Sequence, residues 1–213
     1  GKGSLLGDSI RVILKDRRVL LLGLLQSFFE GAMYTFVINW VPTLARSVPG
    51  GKTPGVEDFG AFAPGQGWIF SAMMICISIG GELFAGMLKV TSVERGSVVL
   101  FYAAALSMIV PIASTGFYTV LFSFLLLETC VGAFFGSMAT MRSRYLPDSL
   151  QTTIMNIFRV PLNVLVVTGT RLSDHLSHSA IFAVITSWFF VAACLQLWLM
   201  VVAERKAQHK KKA

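Results

Sequence analysis

Four ionisable side chains stand in stretches that are otherwise apolar: Glu30, Glu82, Glu128 and Arg159. A charge at mid-bilayer costs at least about 2.5–3.5 kcal/mol unless it meets a partner or water. Each of the four therefore needs a counter-charge, a substrate or a wet cavity. Thr152, Asn156 and Asn163 recur around Arg159 at helical spacing and fall with it in one narrow arc. A guanidinium presents five donors in a planar fork and keeps its charge, which suits a tetrahedral oxyanion or a carboxylate. Pro161 lacks an N–H and crowds the carbonyl of Ile157, so a kink is expected beside the arginine. Gln26 and Glu30 share one face of another apolar run with Met33 and Val37, and Ser71, Ser78 and Glu82 share a face of a third.

Arg159, Asn156, Asn163, Gln26, Glu30 and Glu128 are accordingly the candidate substrate-binding residues. Three carboxylates against one arginine leave Glu30, Glu128 and Glu82 as candidates for proton coupling. The alternative for Arg159 is an internal ion pair with Glu30 or Glu128 that pins helices together. For Glu82 it is pairing with Lys89 or Arg95. Catalysis, a metal and a cofactor are not expected: His175 and His178 sit in a short loop with Asp174, and His209 in a basic tail. No Ser-His-Asp or Cys-His arrangement or phosphate-cradling glycine loop stands in a suitable context.

These side chains must be positioned by membrane-spanning helices. The 213 residues are 54% hydrophobic and 14% charged, with mean hydropathy +0.70; a soluble domain carries about a quarter charged residues. Apolar runs at about 18–40, 67–88, 97–114, 117–141, 151–172 and 180–202 predict six spans. Pro111 is expected to end or kink the third. Residues 41–66, rich in proline and glycine, are expected to form an aqueous loop. Spans three and six carry no charge in their interiors, which predicts spans one, two, four and five around a polar cavity. Gly132 and Gly136 make a G-x-x-x-G, expected as a close-packing surface. Cys76, Cys130 and Cys194 lie inside apolar runs and are expected to be reduced.

Basic residues set the orientation. Fourteen fall on the face that holds both termini and three on the other, so both termini are expected in the cytoplasm. Residues 1–17 are expected to be an amphipathic cytoplasmic linker helix, 18–202 a six-helix bundle and 203–213 a basic tail. The basic clusters are dispersed between spans, which favours lipid headgroups over nucleic acid as the partner. The plasma membrane is the expected location, with an organelle membrane as the alternative. Gly1, rather than Met, opens the sequence, and the chain is expected to be part of a longer one.

The run Arg17–Gly23 with Gln26 and Phe29-Glu30, then Trp40-x-Pro42-x-Leu44, resembles the opening of the second half of the eukaryotic molybdate-anion transporters of the major facilitator superfamily. Ile69-Phe70-Ser71 with Met73, and Glu128 with Gly132, Phe135 and Ser137-Met138, resemble the same family. So does Pro147-Asp148-x-x-Gln151 leading to Asn156-x-Phe158-Arg159-Val160-Pro161-Leu162. The resemblance covers essentially the whole chain. It implies the C-terminal half of a twelve-helix transporter that works by alternating access, a missing N-terminal six-helix half as partner, and an oxyanion such as molybdate as substrate. The sequence departs from the pattern in its long 41–66 loop and in Glu82. The superfamily's loop signature survives only as Gly86-x-Leu88 before Lys89, so gating contacts are not carried over. Competing expectations are a proton-coupled carrier of organic anions or nutrients, and a non-transporting assembly subunit or half-transporter relic.

Overall fold

The computed structural model describes residues 2–48 and 65–212, and every described element is a helix. In chain order these are α1 (Lys2–Lys15), α2 (Arg17–Ser47), α3 (Gln66–Met87), α4 (Val93–Ser107), α5 (Val110–Ala113), α6 (Phe117–Tyr145), α7 (Gln151–His175) and α8 (His178–Lys212). Six segments are long and apolar enough to cross a membrane: α2, α3, α4 with α5, α6, α7, and α8 as far as Gln208. The chain is an all-α membrane protein, since helices that close their own hydrogen bonds are what lipid permits.

Two helix boundaries differ from the sequence reading, at the ends of α2 and α8, while the break expected at Pro111 is present. Helix α2 runs through Pro42 to Ser47 instead of stopping near residue 40. A proline inside a helix costs about 3 kcal/mol. Trp40 and Leu44 are buried on either side of it, so packing against neighbouring helices on both sides of the proline holds the helix continuous. The Thr43 hydroxyl also donates to the Asn39 carbonyl at 2.6 Å. Residues 49–64 of the expected loop lie outside the described residues. Helix α8 continues to Lys212, so the expected basic tail from 203 is the end of the same helix. The third span breaks between α4 and α5, just ahead of Pro111, and the Thr186 hydroxyl of α8 donates to the Met108 carbonyl in the break at 3.0 Å.

Helices α2, α8, α4 and α6 pack in a ring. Its centre is aromatic: Phe29 of α2 stacks on Phe134 of α6 at 4.0 Å, and meets Phe101 of α4 and Phe189 of α8 edge-on at 4.9 and 4.8 Å. Lipid tails are as apolar as these rings, so fit rather than escape from water selects the arrangement. Outside the ring, α3 packs on α6 and α7 on α2. The absence of charge from the third and sixth spans predicts that they lie outside as supports, but α4 with α5 and α8 belong to the central ring, and the second and fifth spans, α3 and α7, lie outside it.

Glycines set the distance between α3 and α6. A β-carbon on Gly132 would meet the Ile77 carbonyl, one on Gly80 the Thr129 carbonyl, and one on Gly136 the Phe84 ring. Backbone cannot yield as a side-chain tip can. Gly132→Leu is expected to cost about 2–3 kcal/mol and to lower the Tm of the full chain in detergent by roughly 5–10 °C. Gly81→Ala, where nothing lies within 4 Å, should leave Tm unchanged or raise it, and thermal melts compare the two.

Helix α1 buries Ser9 and Ile13 and exposes Leu5, Leu6, Ile10 and Leu14. Asp16 joins it to α2: its carboxylate accepts from the Arg18 backbone N–H at 3.0 Å, from the Arg18 guanidinium at 2.7 Å and from Lys206 of α8 at 3.0 Å. The Arg18 side chain above all holds the Asp16 carboxyl well below the usual carboxylate range. Its contribution to stability is therefore fully present above pH about 4 and disappears as pH falls through the lowered value. In melts between pH 6 and 3, Asp16→Asn is expected to lose less Tm on acidification than the unsubstituted chain.

Candidate functional site

A stripe of small residues on α2 decides where α7 lies. Gly23, Ser27, Gly31 and Thr35 recur every four residues and so form one ridge of the helix. A β-carbon on Gly23 would meet the Phe158 ring, and one on Gly31 the Leu165 side chain; one on Gly169 of α7 would meet Thr35. The Ser27 hydroxyl donates to the Phe158 carbonyl at 3.0 Å, and Asn39 Nδ2 donates to Ser173 Oγ at 2.8 Å. These contacts advance together along both helices, so α2 and α7 run parallel at close approach. Helix α7 is continuous through Pro161, and Ser27 binds the carbonyl next to the one that Pro161 leaves without its N–H.

That register places Arg159 one residue beyond the ring seated on Gly23 and beside the next ridge of α2, which carries Gln26 and Glu30. A cavity of about 250 Å³ opens there, lined by Gln26, Ser27, Glu30, Arg142, Phe158 and Arg159 among others. Gln26 Nε2 donates to Glu30 Oε1 at 2.7 Å. No ion pair within 4.0 Å joins Glu30 to either arginine among the described residues. Gln26 Oε1 and Arg142 Nε are buried without a hydrogen-bond partner. A buried polar atom left unpaired costs about 1–3 kcal/mol, so a ligand or water that binds both recovers that loss.

Arg142 was not among the sequence candidates. It was counted with the basic residues of the loop after α6, but the helix persists to Tyr145 and holds Arg142 in its last turn. The signal available was Pro147: a helix commonly ends just before the residue preceding a proline, which keeps residue 142 helical.

The other candidates lie elsewhere. Asn156 and Asn163 are exposed on α7, in line with Arg159 but outside the lining of the cavity. Glu128 is buried in the middle of α6, makes no side-chain hydrogen bond or ion pair among the described residues, and does not line the cavity. Glu82 is exposed on α3, and Arg95, one of its expected partners, pairs with Glu204 at 2.7 Å instead. The polar cavity is thus built by α2, α6 and α7, whereas the sequence predicted that the second span would share it. Ser71 and Ser78 of α3 bond their own helix carbonyls.

Residues 6–122 match a major-facilitator family described as sugar transporters with twelve transmembrane segments. The chain belongs to this family. It is one of membrane transporters, in keeping with a polar cavity among spanning helices. The chain is 30% identical over 175 residues to the molybdate-anion transporter of Xenopus laevis, covering 76% of this chain and 35% of that protein. It is 30% identical over 176 residues to the molybdate-anion transporter of Danio rerio, covering 76% of this chain and 32% of the relative. The Takifugu rubripes protein of the same name is 28% identical over 176 residues, with 76% and 32% covered. The chain spans about a third of the length of the curated relatives it matches. No solved structure matches it.

The parallel register gives a direct check. With Asn39→Cys and Ser173→Cys introduced together, mild oxidation of the full chain should form a disulfide and protect both new thiols from maleimide, as the 2.8 Å contact requires. Pairing Asn39→Cys with a cysteine at Asn163, more than two turns away along α7, should leave both reactive.

Proposed function

We propose that this chain is the C-terminal half of a secondary transporter that moves an oxyanion, molybdate in the first instance, by alternating access. The observation that carries the reading is the convergence of Arg142 and Arg159, from different helices, on one small polar cavity with Gln26 and Glu30. Two guanidinium groups from separate helices suit a dianion, because each offers a fork of donors and neither can lose its charge. The missing acceptor at Arg142 Nε–H adds to the case. The name that the relatives share supports the choice of ion. The family is described as one of sugar transporters, but two arginines beside a carboxylate favour an anion over a neutral polyol.

In this reading Arg159 and Arg142 hold the oxyanion and Gln26 orients Glu30 as their counter-charge when the site is empty. Asn156 and Asn163 extend a polar track along the exposed side of α7, where an N-terminal six-helix half would close the cavity. Glu30 and Glu128 are the candidates for carrying a proton in exchange. Both termini lie in the cytoplasm, on the face where basic residues gather, with the plasma membrane as the site of action.

Uptake by the full-length protein in a molybdate-free background tests this. Arg159→Ala and Arg142→Ala should each raise the apparent KM for molybdate by about 10- to 100-fold, the loss of a charge-assisted hydrogen bond of about 1.5–3 kcal/mol. Tungstate and sulfate should compete, and bulky carboxylates should not. Saturable uptake with unchanged KM in both variants would overturn the assignment.

A further inference from the structure

A second cavity, larger than the proposed transport site, lies apart from it. It has a volume of about 1000 Å³ and opens where the ends of α2, α6 and α8 meet the turn from α3 to α4. Its walls carry five cationic side chains, Arg18, Lys89, Arg95, Arg144 and Lys206, against Glu94 and Glu204. Four of the five are tethered. Arg18 and Lys206 pair with Asp16, Arg95 with Glu204 at 2.7 Å, and Arg144 with Glu94 at 3.2 Å, where the Tyr145 hydroxyl also donates to Glu94. Arg18 in addition lies over the Tyr145 ring at 4.8 Å. Lys89 has no ion-pair partner among the described residues and is exposed. With Asp16 included, five cations face three carboxylates, so the cluster keeps a net positive charge even with every pair intact.

Depth and neighbours narrow the ligand. Its walls are the first turns of α2 and α4, the last turn of α6, the turn from α3 to α4 and the end of the apolar span of α8, so the cavity lies at the level where spanning helices leave the hydrocarbon and lipid headgroups begin. Val90 is 86% exposed and Leu88 37% exposed, on the turn that holds Lys89. An apolar pair pointing outward beside a fixed basic pocket matches an amphiphile better than a soluble ion: the headgroup reaches the cations while its acyl chains run past Leu88 and Val90. We infer that this cavity is a binding site for an anionic phospholipid headgroup, with Lys89 as the donor left free for it. The paired cations hold the pocket in shape and contribute the surrounding field. This inference does not depend on which ion the protein transports.

The test uses the full native chain in nanodiscs of phosphatidylcholine, with and without 5 mol%, an amount on the order of a minor anionic lipid, of phosphatidylinositol 4,5-bisphosphate. Thermal unfolding and native mass spectrometry are the readouts. The phosphoinositide should raise Tm and remain bound in the mass spectrum. Lys89→Ala should weaken its binding about fivefold, the effect of one lysine near a membrane surface, while Lys15→Ala, on α1 and outside the cavity, should leave it unchanged. Equal losses in the two variants would mean general surface attraction and would overturn the site. Soluble inositol trisphosphate giving the same Tm rise as the lipid would overturn the lipid assignment, and no rise with either would overturn the pocket as an anion site.

Discussion

The close approach of α2 and α7 is the constraint on which the rest of the polar site depends. Association of helices in lipid gains little from excluding water and rests on packing and on hydrogen bonds between helices. The ridge Gly23, Ser27, Gly31 and Thr35 has little side chain to hold a neighbour away, so Phe158 and Leu165 press against Gly23 and Gly31, and Gly169 against the Thr35 side chain. Ser27 and Asn39 then lock the register with hydrogen bonds across the seam. Once α7 is held in that register, Arg159 must lie beside Gln26 and Glu30, because those two occupy the adjoining ridge of α2.

The two sides of α2 divide the molecule's work. Phe29 points into the aromatic centre shared with α4, α6 and α8, while Gln26 and Glu30 point into the cavity with Arg142 and Arg159. Neighbouring residues of one helix thus serve a rigid apolar ring and a charged cleft. The aromatic contacts are worth about 0.5–1.5 kcal/mol each beyond their area. Placed together around Phe29, they oppose the cost of keeping unpaired polar atoms in the cleft. A transport site requires that balance, since a cavity whose charges were fully satisfied internally would have nothing left to offer an ion.

Charge is handled differently at the two depths. At the helix ends, Asp16, Glu94 and Glu204 each hold a basic partner. In the cleft, among the described residues, Glu30 has only Gln26 as a hydrogen-bond partner, and Arg142 Nε has none. Pairing near water is weak and easily exchanged, whereas a buried guanidinium nitrogen without a partner, such as Arg142 Nε, favours a ligand that accepts from it. Arg142 shows how a sequence reading goes astray here, because an arginine near a span's end reads as topology until the helix is seen to enclose it.

Composition and periodicity alone established the six spans, the polar stripe through Asn156, Arg159 and Asn163, and the apolar character of spans three and six, because twenty-residue apolar runs and 100° steps are properties of the chain itself. The close-packing role of Gly132 was also legible, since a glycine four residues from another leaves a flat surface in any helix. Which stripes meet was not legible. That Gln26 binds Glu30 while Glu128 stands apart, that Glu82 faces away from the cleft, and that α2 passes through Pro42 all depend on contacts between helices distant in sequence. Only the tertiary structure decides them, because small energies of packing and hydrogen bonding across the seams choose among many registers that the local pattern allows equally.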